Sequence, residues 1–144
     1  LHHIVDAVVK EYGPAYYTRV GLRYRNVIDP ITLGNTNARW NELLNGALVG
    51  VLGIDDLSGE VIGSKGDFGL RLPESEVQLR VRHGLASSQT DHSVYVIDTD
   101  AFKETQTEIN DAIPLFDVCN RRAGDLFRWS ITPRFAEKLE PRAP

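Results

Sequence analysis

Residues 76–85 read Glu76-Val77-Gln78-Leu79-Arg80-Val81-Arg82-His83-Gly84-Leu85, with Val77, Leu79 and Val81 alternating against Gln78, Arg80 and Arg82. Successive side chains on a strand point to opposite faces, so this period of two predicts a β-strand with a buried face and an arginine-bearing one. Upstream, Pro73-Glu74-Ser75 predicts a turn, and residues 59–72 a strand interrupted by Gly63, Gly66 and Gly69. Downstream, residues 87–91 form a polar loop and residues 93–99 a short apolar strand. Connections this short join antiparallel neighbours, because a parallel pair needs a long crossover.

Working outward, residues 16–28 are rich in aromatic and β-branched side chains, contain no acid and stop at Asp29-Pro30, which predicts a fourth strand. Ile4, Val5, Val8, Val9 and Tyr12 recur at helical spacing before Gly13-Pro14, so residues 2–12 predict a helix. Trp40, Leu43, Leu44, Ala47 and Leu48 predict another, capped by Thr36 or Asn37 and weakened by Gly46 and Gly50. From about Thr107 the period becomes 3.6. Ile109, Ala112, Ile113, Phe116, Cys119, Ala123 and Leu126 then mark one face of a long helix, with Pro114 forcing either a start near Asn110 or a kink. Thr132-Pro133 caps a last helix through Leu139, and Pro141 and Pro144 close a mobile tail.

The order is helix-strand-helix-strand-strand-strand-helix. It predicts a single α+β domain over residues 1–144, with a four-stranded, mainly antiparallel sheet packed on the long C-terminal helix. The chain has 144 residues, 42% of them hydrophobic and 25% charged, and a net charge of −4, as expected of an ordinary globular domain. No apolar run is long enough to span a membrane. A lone Cys119 fits a reducing compartment, or indifference to redox, and the expected location is cytoplasmic. A chain that starts at Leu1 and has no methionine reads as the C-terminal part of a larger protein.

The stretch Thr18-Arg19-Val20-Gly21-Leu22-Arg23-Tyr24-Arg25-Asn26-Val27-Ile28 resembles a strand of a sporadically distributed bacterial family of uncharacterised proteins of about 250 residues. In that family an R-I-G-L-R-Y-apolar-N segment opens the C-terminal half, and a segment like Phe127 to Ile131-Thr132 lies near the end. Arg25 stands where the family pattern has an apolar residue. The resemblance implies a missing N-terminal half as a partner. It brings no catalytic residues and no cofactor.

Of 16 basic residues 12 are arginine, and six of those fall on three predicted strands. Alternation places Arg19, Arg23 and Arg25 on one face opposite Val20, Leu22, Tyr24 and Ile28. Arg80 and Arg82 likewise oppose Val77, Leu79 and Val81, and Arg71 opposes Phe68, Leu70 and Leu72. Adjoining strands would therefore gather guanidinium groups, which fork onto carboxylate or phosphate oxygens. Three sets of anions are open. Internal carboxylates (Glu74, Glu76, Asp98, Asp100) lie close in sequence. A missing N-terminal half or a second copy of the chain could dock there. A phosphate or nucleotide could bind instead. A sequence pI near 5.5 argues against non-specific nucleic-acid binding, which needs a net basic footprint.

Asp98-x-Asp100 puts two carboxylates on one strand face, the weak beginnings of a divalent-metal site without a visible third oxygen ligand. With those two acids as metal holders, the alternative function is a phosphate- or nucleotide-handling enzyme. Glu74-x-Glu76 resembles part of the acidic motif of triphosphate-tunnel enzymes, but Gln78 stands where that motif needs a base. Cys119, on the apolar stripe, predicts an inert buried thiol. His83 and His92 flank a turn as possible proton carriers, but no serine nearby sits in a nucleophile elbow. With no complete catalytic set, the leading expectation is an interaction module rather than an enzyme.

Overall fold

Four strands, β1 (Val20–Ile28), β2 (Lys65–Leu72), β3 (Val77–Ser87) and β4 (Ser93–Lys103), form one antiparallel sheet in the order β1-β4-β3-β2. The computed structural model describes residues 2–34 and 36–139. The helices are α1 (His2–Tyr12), the single turns α2 (Trp40–Leu43) and α3 (Gly46–Val49), the long α4 (Ala112–Ser130) and a final turn α5 (Pro133–Ala136). This is the predicted α+β order, with α4 packed across the sheet. Among the described residues no helix is long and apolar enough to cross a membrane.

Alternation sorts the faces as expected. Leu79, Val81, Tyr95, Ile97 and Ala101 are buried with Cys119, Ala123 and Leu126 of α4, and Leu43, Leu44, Leu48, Val49 and Leu52 close the core from the side. Burying a leucine or valine completely stabilises the fold by about 1.5–3 kcal/mol relative to exposure, so this inner layer dominates stability.

Several boundaries differ from those expected. The first strand begins at Val20 rather than Tyr16, because its ladder ends where Val20 meets Lys103 at the end of β4. Tyr17 then makes only an isolated bridge to Thr107. The strand expected over 59–72 begins at Lys65, and the one expected over 93–99 runs on to Lys103. Being central, β4 has partners on both sides that carry it further.

The helix expected around Trp40 to Leu48 is split. Leu44 leaves it in an extended conformation to bridge Ile131, and Asn45, not Thr36 or Asn37, caps the second turn by accepting from the Ala47 amide. The long helix starts at Ala112 after a 3-10 turn, so Pro114 falls in the first turn, where its missing N–H has no helical partner to lose. Thr132 caps α5 by accepting from the Phe135 amide, but the helix stops at Ala136 rather than Leu139. Pro141 and Pro144 lie outside the described residues.

Candidate functional site: an arginine-bearing sheet face

Register turns the four strands into rows across the outer face. One row reads Arg23-Asp100-Arg80-Gly69, the next Arg25-Asp98-Arg82-Asp67, and the one beyond it Val27-Val96-Gly84-Lys65. On the other side of the first row lie Gly21, Phe102, Gln78 and Arg71. Arg19, just before β1, keeps the same parity. All six arginines singled out from sequence, Arg19, Arg23, Arg25, Arg71, Arg80 and Arg82, therefore share one face. Lys65 joins them, and the carboxylates that the strands place on that face are Asp67, Asp98 and Asp100. Within the strands six cations thus share the face with three carboxylates, on a chain whose net charge is −4. Arg19, just before β1, has its counterpart by parity in Glu104, just after β4.

The carboxylates are unevenly shared. Arg19 forks onto both oxygens of Asp100 at 2.9 and 2.8 Å, and its guanidinium lies 4.5 Å from the Phe102 ring centre. Arg23 donates to both oxygens of Asp98, at 2.7 Å through Nε. Neither pair is directly opposite: Arg23 faces Asp100 and reaches diagonally to Asp98, and Arg19, before β1, reaches past Phe102 to Asp100. The hydrogen bonds from Arg23, helped by Arg82 and Arg25, hold the Asp98 carboxyl below its usual range, and Asp98 in turn raises Arg23. Among the described residues Arg80 and Arg82 reach only Asp67, at 3.9 and 3.6 Å, beyond hydrogen-bond length. Arg25, Arg71 and Lys65 have no carboxylate within 4.0 Å among the described residues.

Internal pairing therefore accounts for Arg19 and Arg23 and leaves the rest under-neutralised. Of the carboxylates expected to do the pairing, Asp98 and Asp100 do so. Glu74 and Glu76 do not: Glu76 binds Lys103, and Glu74 stands 4.0 Å from Arg122 of α4. Asp98 and Asp100 do sit side by side, but each turns both oxygens onto a guanidinium, so an arriving cation would meet arginines first. No group of three or more His, Cys, Asp or Glu suited to a metal occurs among the described residues.

The two histidines separate. His83 points to the core side, where its Nδ1 lies 2.7 Å from the Tyr95 hydroxyl, and burial lowers its pKa. His92 ties two segments together: Nε2 is 2.9 Å from Asp29 beyond β1, and Nδ1 is 2.8 Å from Ser88 and 2.9 Å from Thr90 in the β3–β4 turn. Burial pushes Asp29 up, but hydrogen bonds from His92 and the Ile31 amide outweigh it and leave its pKa lowered. The acid–imidazole–hydroxyl sequence looks like a nucleophile relay. Ser88 Oγ, however, already accepts from the amides of Thr90 and His92, which occupy the lone pairs a nucleophile would use. The cluster fastens the hairpin turn to β1. Cys119 is fully buried and its thiol is pushed up by that burial, as its place on the stripe predicted.

The places of Lys65 and Asp67 on the arginine face and the His92–Asp29 tie lie outside the sequence expectations. The parity of Arg71 extended back along β2 would have placed Lys65 and Asp67 on the arginine face, whereas the tie spans 63 positions and leaves no local signal. Comparison with protein-family models, with curated proteins and with solved structures finds no match for this chain.

Proposed function

We propose that this domain is an interaction module whose arginine-bearing sheet face docks an anionic partner surface. The observation that supports it is the excess of cations over carboxylates on one solvent-facing side of an otherwise acidic chain. Guanidinium groups fixed on neighbouring strands offer forked donors in a rigid array, suited to carboxylates or phosphates presented by another surface. Electrostatic complementarity of this kind steers encounter and fixes register more than it adds affinity. The resemblance to the bacterial family makes a domain preceding this one in the same polypeptide the first partner to test, with a second copy of the chain next, in a cytoplasmic setting. The engaged state of Asp98 and Asp100 favours docking over the metal-dependent phosphate enzyme.

The test is Arg23→Ala with Arg80→Ala, made in the longest natural form of the protein. Association state and binding to immobilised polyglutamate are followed against salt, with unfolding measured alongside. Weakened association or polyglutamate binding, with stability nearly unchanged, supports the reading. If association, polyglutamate binding and stability all stay the same, it is wrong.

A further inference from the structure

The excess charge is concentrated at one end of the face. A shallow concavity of about 330 Å³ lies over Val96, Gly84 and Asp98, and Arg23, Arg25, Arg82 and Lys65 line it. Val96, Gly84, Leu85 and Ala86 also line it, so the cations stand beside a mainly apolar surface. That volume is at the small end of the range for ligand sites.

Arg25 of β1 and Arg82 of β3 flank Asp98 of β4 in one row, two strand spacings apart, about 9.6 Å. Long side chains arising from those positions can close on a group held between them. Arg23 already saturates both oxygens of Asp98, so the one acid lining the concavity is neutralised from its own side. Arg25 and Lys65 have no carboxylate within 4.0 Å among the described residues, and the nearest to Arg82 is Asp67, 3.6 Å away.

We propose that this concavity is a subsite for the phosphate group of a small phosphorylated molecule, held by Arg25, Arg82 and Lys65. The inference rests on the docking reading of the face and names the anion that its most under-neutralised end takes. A carboxylate has one charge and two oxygens, and one guanidinium saturates it. A phosphate monoester carries close to two charges on three free oxygens and can engage cations from three strands at once. The apolar surface then lies beside the organic part of the ligand.

The experiment is calorimetric titration of the chain with inorganic phosphate and with glycerol phosphate at fixed ionic strength, with sodium citrate as a polycarboxylate comparison. The Arg25→Gln, Arg82→Gln double variant is tested against Arg71→Gln, which removes a cation from the same face outside the concavity. Saturable binding of both phosphates, stronger than that of citrate, is expected. The double variant should weaken it by about tenfold or more, for two lost charge-assisted contacts, and Arg71→Gln by less than about twofold. Urea unfolding of each variant verifies that the fold is kept. Absence of saturable phosphate binding, equal binding of citrate, or equal weakening by Arg71→Gln overturns the subsite. Polyglutamate binding separates the two proposals. If it persists while phosphate fails, the subsite alone falls; if it fails too, the docking face falls with it.

Discussion

Replacing Tyr95 by phenylalanine removes one oxygen from the centre of the core. The side chain is fully buried, and its hydroxyl donates to the Leu48 carbonyl at 2.8 Å while lying 2.7 Å from His83 Nδ1. A hydroxyl has a single proton and a carbonyl can only accept, so His83 Nδ1 is the donor of the second bond. Burial pushes the Tyr95 hydroxyl pKa up to about 12, so it stays protonated in this role throughout the neutral range. Tyr95→Phe strands a buried carbonyl and a ring N–H. Each such loss costs about 1–3 kcal/mol, and the hydroxyl's own relief from burial offsets part, for a net loss of about 2 kcal/mol. At this chain length that lowers the melting temperature by about 4–8 °C. Urea unfolding at constant m-value is the assay.

Tyr17→Phe is the internal control: its hydroxyl is buried with no hydrogen-bond partner among the described residues. Removing that oxygen should leave stability unchanged or raise it by up to about 1 kcal/mol. Equal effects of the two substitutions, or a loss below about 0.5 kcal/mol for Tyr95→Phe, would refute the assignment of this hydrogen-bond chain.

Two further outcomes follow from groups near that chain. Burial holds the His83 pKa below its ordinary value, so the unfolded chain takes up the proton first as the medium is acidified. Stability from this group is complete above about pH 6.5 and declines as pH falls through that value toward the folded-state pKa. The urea midpoint should therefore be lower at about pH 5.5 than at about 7.5, and the difference should shrink in His83→Leu; an unchanged difference would assign the effect elsewhere. Gly84 has φ +154°, and a Cβ there would collide with the Ser64 carbonyl oxygen. Gly84→Ala should cost about 2 kcal/mol or more and loosen β2 from β3, read as faster amide exchange along Lys65–Leu72 with β1 and β4 little affected.

Much of this architecture is legible in the chain because it depends on local periodicity. The alternation at Val77 to Arg82 fixes which side of β3 is buried, and the same parity in β1 places Arg23 and Arg25 opposite Leu22 and Ile28. What the sequence leaves open is long-range. The order β1-β4-β3-β2 brings Asp98 between Arg25 and Arg82, residues more than 50 positions apart. Diagonal pairing assigns Asp98 to Arg23 instead of its direct neighbour, a choice made by side-chain reach and not by register. The break at Leu44 was equally hidden, since the partner that draws the backbone out of the helix is Ile131. The split into two single turns is thus a tertiary effect overriding an apolar stripe that reads as one helix.

The two faces of the sheet do different work, and that makes the docking proposal tractable. Inside, Val81, Tyr95, Ile97 and Ala101 are wholly buried, so substitutions there act on folding. Outside, Arg80, Arg82 and Asp67 keep more than half of their side-chain surface in solvent, where ion pairs contribute little to stability. A face that served only stability or solubility would not need guanidinium in preference to lysine, nor an excess of it over the local acids. Arg25 and Arg71, with no carboxylate within 4.0 Å among the described residues, can lose their charge with the sheet intact. Variants of these arginines consequently report on what the face binds, while variants of the inner layer report on whether the domain folds.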